Sequence, residues 1–228
     1  LQRKQFSGWR LALPQAVGLV LIFTPVAALA LAGGQAAATK SAPVKRMIKA
    51  IQGAAAPPAP VVYRTVWSGR DIDGDGAPDF VNPTGEAPRD HDNFGYGAFG
   101  ASRDGGARRH EGVDYAARAE QTVAAPMSGF VTRIGYAYSA DTSLKFVEIS
   151  NPALGYVVRA FYVDPGVAVG QAVRLGQAIG TVASLQSHYP GITDHVHLEV
   201  MKPGGRRVDS ERLILARQVP VRSPNGRG

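Results

Sequence analysis

The sequence contains no cysteine, which excludes disulfides, thiolate metal ligands and cysteine nucleophiles. A metal site in this chain has to be built from nitrogen and oxygen ligands. Histidine is scarce too, with five in 228 residues. Acidic residues are missing from residues 1–60, which hold Arg3, Lys4, Arg10, Lys40, Lys45, Arg46 and Lys49. Removing those seven from 25 Lys and Arg leaves 18, against 18 Asp and Glu, so the net charge of +7 belongs to that segment alone. The remainder is neutral. No nucleic-acid partner is expected for it.

The N-terminal segment carries an apolar run from Ala16 to Gly34, broken only by Thr24 and Pro25. About 20 apolar residues span a hydrocarbon core, so residues 1–34 read as a transmembrane anchor or a signal peptide. Arg3, Lys4 and Arg10 resemble a positive leader region, and Ala28-Leu29-Ala30 a small-residue cleavage site. Basic residues on both sides leave the orientation undecided by charge. Residues 35–62, rich in Ala and Pro, read as a disordered linker. Residues 63–215 are expected to form the folded domain and 216–228 a flexible tail.

The domain opens on an acidic loop, Asp71-Ile-Asp73-Gly-Asp75-Gly-Ala-Pro-Asp79. Crowded carboxylates repel one another unless a cation lies between them, so Asp71, Asp73, Asp75 and Asp79 are candidate structural calcium ligands. Asn82 stands where an EF-hand has its bidentate Glu, and Pro78 interrupts the loop. A solvated acidic turn is the equal alternative.

From Thr122 onward, short apolar runs alternate with turn signals. Thr122–Pro126, Phe130–Ile134, Phe146–Ile149, Tyr156–Val163 and Val167–Val182 read as strands, giving an antiparallel, all-β domain. Val208–Leu215 reads as a short helix begun by Asp209 or Ser210.

The chemistry concentrates in Thr193-Asp-His195-Val-His197-Leu-Glu-Val200, where Val196, Leu198 and Val200 alternate with His195, His197 and Glu199. Period two describes a strand and puts both histidines on one face, about 6–7 Å apart. Upstream, His110-Glu-Gly-Val-Asp114 offers an imidazole and a carboxylate. Three such ligands and a water make an open catalytic zinc site. His110, Asp114 and one histidine of the late pair supply three. Gly112 between them permits close backbone approach.

These stretches, with APMSGFV and VGQAVRLGQAIG between them, resemble the lysostaphin/LytM-type zinc metallopeptidases that cut peptidoglycan peptides. The resemblance runs from about Phe94 to Val200 and keeps the order of the family's elements. It implies the LytM-like fold of the duplicated hybrid motif type, zinc held by His110, Asp114 and His197, and His195 as the catalytic histidine. It also implies a peptidoglycan peptide as substrate and a domain facing the cell wall or periplasm, or carried on a phage particle.

Active members of that family have another histidine in a Tyr-x-His-Leu stretch. Here the matching run is Val157-Val-Arg-Ala-Phe-Tyr162-Val-Asp164, with Tyr162 as the positional substitute. FYVDP through LQSHYPGITDHVHLE is most similar to the leukocyte cell-derived chemotaxin-like branch, which keeps the zinc site and is regarded as non-proteolytic. A tyrosine hydroxyl donates a hydrogen bond to a developing oxyanion as an imidazole does. His188, in a Pro-Gly loop, is a second candidate. Three readings follow: a zinc endopeptidase, a zinc-bearing binding module whose catalysis has lapsed, and a calcium-bound structural module.

Overall fold

A computed structural model of the protein describes residues 60–221. The expected anchor or signal segment, most of the linker and the last seven residues lie outside the described residues. Among the described residues, no helix is long and apolar enough to cross a membrane.

The described chain is built of antiparallel strands, as its alternating patterns predict. In order they are β1 (Tyr63–Gly69), β2 (Ser102–Arg103), β3 (Arg108–Arg109), β4 (Val113–Ala116) and β5 (Thr122–Ala124). Next come β6 (Gly129–Tyr138), β7 (Asp141–Asn151), β8 (Tyr156–Phe161), β9 (Val163–Pro165) and β10 (Ala172–Val173). β11 (Ala178–Val182), β12 (His195–Met201), β13 (Arg207–Val208) and β14 (Ile214–Pro220) complete the set. Helical structure among these residues is confined to two 3-10 turns, Asp104–Gly106 and Ser210–Arg212.

The main sheet runs β10-β6-β7-β8-β12-β13, with β4 also paired to β12. β4 pairs with His195–Leu198 of β12 and β8 with His197–Met201, so His197 and Leu198 are held on both edges. Val196, Leu198 and Val200 of β12 are wholly buried with Val113 and Tyr115 of β4, Val158 and Ala160 of β8, and Val147 and Ile149 of β7. Burying an aliphatic side chain of this size contributes about 1.5–3 kcal/mol. These contacts fix the register on which both histidines depend. A slip of one residue would send His195 and His197 to the other face. The smaller sheet β5-β11-β9 adds Val123, Ile179 and Val163 to the same core.

Three departures from the expected elements have physical causes. The run Tyr156–Val163 is not one strand: Tyr162 adopts a left-handed φ of 64°, separating β8 from β9. Its backbone stays paired, donating to the Lys145 carbonyl and accepting from the Ala183 N–H. The expected helix over Val208–Leu215 shrinks to the turn Ser210–Arg212, capped by the Asp209 carboxylate on the Glu211 N–H. Finally, the tail assigned to 216–228 is corrected at its start. Residues 216–220 belong to β14, which pairs with β1 from Tyr63↔Pro220 to Gly69↔Ile214. Ile214 and Leu213 anchor this ladder in the core.

Candidate metal centre and its groove

Strand register brings the two distant motifs together. His197 of β12 lies directly opposite Asp114 of β4 and, on its other edge, Phe161 of β8. Directly opposed residues share a face with Cβ atoms about 4.5–5.5 Å apart. His110 approaches from the segment before β4, pinned where its backbone N–H donates to Ala101 and its carbonyl accepts from Gly100. Gly112 makes the approach possible: a Cβ there would lie 2.5 Å from the Leu198 carbonyl oxygen and 2.7 Å from the His197 ring.

Three ligand-type atoms converge as a result. His197 Nδ1 is 2.8 Å from Asp114 Oδ1 and 2.9 Å from His110 Nε2, and His110 Nε2 is 3.1 Å from Asp114 Oδ1. His110 Nδ1–H donates to the Ala98 carbonyl at 2.9 Å, which leaves Nε2 as a bare acceptor when the ring is neutral. It then faces a carboxylate oxygen, an arrangement that repels unless a proton or a cation lies between them. Bonds of about 2.0–2.1 Å to tetrahedral zinc place ligand atoms roughly 3.3 Å apart, close to this spacing. The donor set fits zinc.

The other carboxylate oxygen is occupied. Asp114 Oδ2 accepts from Nε and Nη2 of Arg89, both at 3.0 Å, with Arg103 Nη2 at 3.4 Å. Burial favours the neutral acid, but the imidazoles outweigh it, His110 and His197 as hydrogen-bond donors when their facing nitrogens carry a proton and His195 through its charge, and hold Asp114 well below the usual carboxylate range. Burial likewise favours a neutral His197, and hydrogen bonds to Asp114 and Glu199 outweigh it, raising that ring above the ordinary imidazole value. Arg89 escapes sequence reading, because an ion pair across 25 residues leaves no periodic trace. Gly97 is its only local hint: a Cβ there would lie 2.6 Å from Arg89 Cγ and 3.1 Å from Asp114 Cβ.

His195 stands beside the cluster, with Nε2 3.6 Å from Asp114 Oδ1. Its Nδ1–H donates to the Thr193 carbonyl at 2.7 Å, so Nε2 is the free nitrogen on the site side. Burial lowers its pKa, against the pull of Asp114. Tyr162 packs edge-on to the His195 ring, centroids 5.2 Å apart and planes at 90°. Because its φ is left-handed, Tyr162 and its neighbour Phe161 both reach the histidines, Phe161 lying 5.3 Å from the His197 ring.

These side chains line a groove of about 340 Å³. Its lining also includes the basic Arg103 and Arg108 and the aromatic and aliphatic Tyr138, Tyr189, Leu185 and Ile192. His188 is not in it. That ring bonds Asp141 Oδ2 at 2.6 Å and Ser143 Oγ at 3.0 Å, tying its loop to the end of the β6–β7 hairpin. In the acidic loop, carboxylates of Asp71, Asp73 and Asp79 gather and Asp75 stays outside the group. Each of the four accepts a backbone N–H, from Gly74 and Gly76, Asp75, Ala77 and Ile72 in turn.

The profile of peptidase family M23 matches residues 108–210, which span the candidate ligands and His195. Leukocyte cell-derived chemotaxin-2 of Mus musculus is 32% identical over 108 residues, covering 47% of this chain and 69% of that protein. Myeloid protein 1 of Gallus gallus is 34% identical over 120 residues, 52% of this chain and 36% of that one. Among solved structures, lysostaphin from Staphylococcus simulans aligns over 53% of this chain and 48% of its own, at 22% identity and a TM-score of 0.42. The chain belongs to peptidase family M23. Its motifs resembled the LytM/lysostaphin type, and family membership agrees with that resemblance.

Proposed function

We propose that the protein is a zinc-dependent endopeptidase that hydrolyses peptide bonds in peptidoglycan, with the domain on the wall side of a membrane or on a phage particle. The observation that carries this reading is the convergence of His110 Nε2, Asp114 Oδ1 and His197 Nδ1 within 3.1 Å, beside the free Nε2 of His195. Zinc held by those three atoms supplies a charge that polarises a carbonyl and acidifies water. His195 Nε2 takes a proton from the attacking water and returns it to the leaving amine. Its hydrogen bond to Thr193 keeps the correct tautomer. Tyr162 donates a hydrogen bond from its hydroxyl to the carbonyl oxygen as negative charge grows there, keeping its proton.

A second reading is a zinc-bearing module that binds wall peptides or a protein receptor without cutting. Tyr162 favours it, standing where the resembled family has a histidine. Retention of His195 in a base-competent tautomer opposes it.

The test is digestion of peptidoglycan by the purified, zinc-loaded chain beside His195→Ala and Tyr162→His. New peptide termini from the parent, absent with His195→Ala, are the expected result. Silence from the parent, with activity only in Tyr162→His, would establish the lapsed module instead.

A further inference from the structure

Three tyrosines that line the groove form a line of hydroxyls. Tyr189 in the loop before β12 donates to the Tyr138 oxygen at 2.8 Å, and the Tyr138 and Tyr162 oxygens are 3.2 Å apart. Tyr138 is the last residue of β6, so the three phenols come from separate parts of the chain. Each hydroxyl has one proton to give. The Tyr138–Tyr162 contact fits either direction; with Tyr189 donating to Tyr138, we take Tyr138 as the donor to Tyr162, which continues the line. Tyr162 then accepts from Tyr138 and keeps its proton for another partner.

We infer that Tyr138 and Tyr189 are positioning residues that turn the Tyr162 proton into the groove, toward the carbonyl oxygen of the bound peptide. The inference rests on the hydrolase reading above and adds to it two residues with no place in the zinc site. Aligned hydroxyls also polarise one another, making the last one a stronger donor. The backbone supports the arrangement. A left-handed φ at a tyrosine is uncommon, and here it aims the side chain at both His195 and Tyr138. Burial and hydrogen-bond donation raise Tyr138 and Tyr189 to about 12, so the line stays protonated at neutral pH. Phe94 packs edge-on to Tyr189 at 5.5 Å, and His188 beside it is tied to Asp141, so the far end of the line is anchored.

The experiment compares the full chain with Tyr138→Phe and Tyr189→Phe, both of which keep the ring and remove the hydroxyl. Peptide-bond hydrolysis is followed together with the ¹³Cζ resonance of Tyr162 in tyrosine-labelled protein, assigned with Tyr162→Phe. In Tyr138→Phe, kcat falls about tenfold with KM little changed, a fraction of the roughly 100-fold or greater loss for a deleted oxyanion donor. The Tyr162 resonance moves as its hydrogen-bond donor disappears, and Tyr189→Phe shifts both quantities in the same direction by less. An unchanged kcat in Tyr138→Phe overturns the inference, as does a Tyr162 resonance that stays in place. A parent that cuts nothing overturns the hydrolase reading instead. The resonance then decides separately whether Tyr138 orients Tyr162.

Discussion

Arg89 places two nitrogens 3.0 Å from one oxygen of Asp114, and that contact determines which carboxylate oxygen is left for the site. Both side chains are almost fully buried. An unpaired carboxylate in such a place costs several kcal/mol, and removing the closer, two-pronged of its two guanidinium partners exposes much of that cost.

Replacing Arg89 therefore has two consequences. Arg89→Met lowers the stability of the zinc-free protein by about 3–5 kcal/mol. It also weakens zinc affinity about 10- to 100-fold, because the carboxylate loses the partner that orients it. Thermal melts with and without zinc, and competition against a chelator of known affinity, measure the two effects. Unchanged affinity would mean that Asp114 keeps its orientation without Arg89.

Gly112 carries a steric prediction. The Cβ of Gly112→Ala would meet the Leu198 carbonyl at 2.5 Å and the His197 ring at 2.7 Å. The backbone cannot yield without opening the β4–β12 ladder, so His197 moves. Zinc stoichiometry falls below one per chain, and stability drops by about 1–3 kcal/mol, the usual cost of overpacking. Metal content after gel filtration and a urea melt read both.

Protons compete with zinc at His197. Its pKa is raised in the fold, so in zinc-free protein this ring contributes stability that is full below its unfolded pKa and is lost as pH rises through the folded one. Zinc needs the bare Nδ1. The increase in melting temperature on adding zinc should shrink as pH falls from about 8 toward about 6, across the imidazole range. Asp114 acts in the opposite sense, losing its contribution only at much lower pH, below the ordinary carboxylate range. A zinc-induced shift that stays constant over that interval would exclude His197 as a ligand.

The terminal ladder gives a fourth prediction. Ile214 is 1% exposed at the end of β14 that pairs with Gly69. Ile214→Ala costs about 2–5 kcal/mol, seen as a lower urea midpoint, and leaves zinc affinity unchanged. Loss of zinc binding along with stability would show that the ladder and the site are coupled.

Much of the site was legible because its residues lie on short periodic motifs. The alternation in β12 located His195 and His197, and β4 supplied the facing partner, Asp114. What the sequence concealed is what acts at long range. Arg89 is one such residue, since nothing local distinguishes a guanidinium that pairs 25 residues away. Tyr138 and Tyr189 carry no motif that singles them out, since their hydroxyls meet only when the end of β6 and the loop before β12 fold together. Tyr162 was legible as a substitution in a motif, yet the left-handed turn that aims it is invisible in an apolar run such as Tyr156–Val163. Residues 216–220 of β14 fall in the expected tail, and Ala216-Arg-Gln-Val-Pro220 shows no regular alternation and ends in proline. Its order comes from β1, at the opposite end of the domain.

That pairing has a mechanical meaning. Tyr63 faces Pro220, so the strand entering the domain and the strand leaving it are neighbours at one rim, running in opposite directions. Tension applied between those two points would act across the ladder and not along it. The hydrogen bonds would part in sequence from Tyr63–Pro220 inward, as in a zipper. The last to yield would be the bond from the Arg70 N–H to the Leu213 carbonyl, at the edge of the core. Force would have to consume the whole ladder before it reached the strands that hold the histidines.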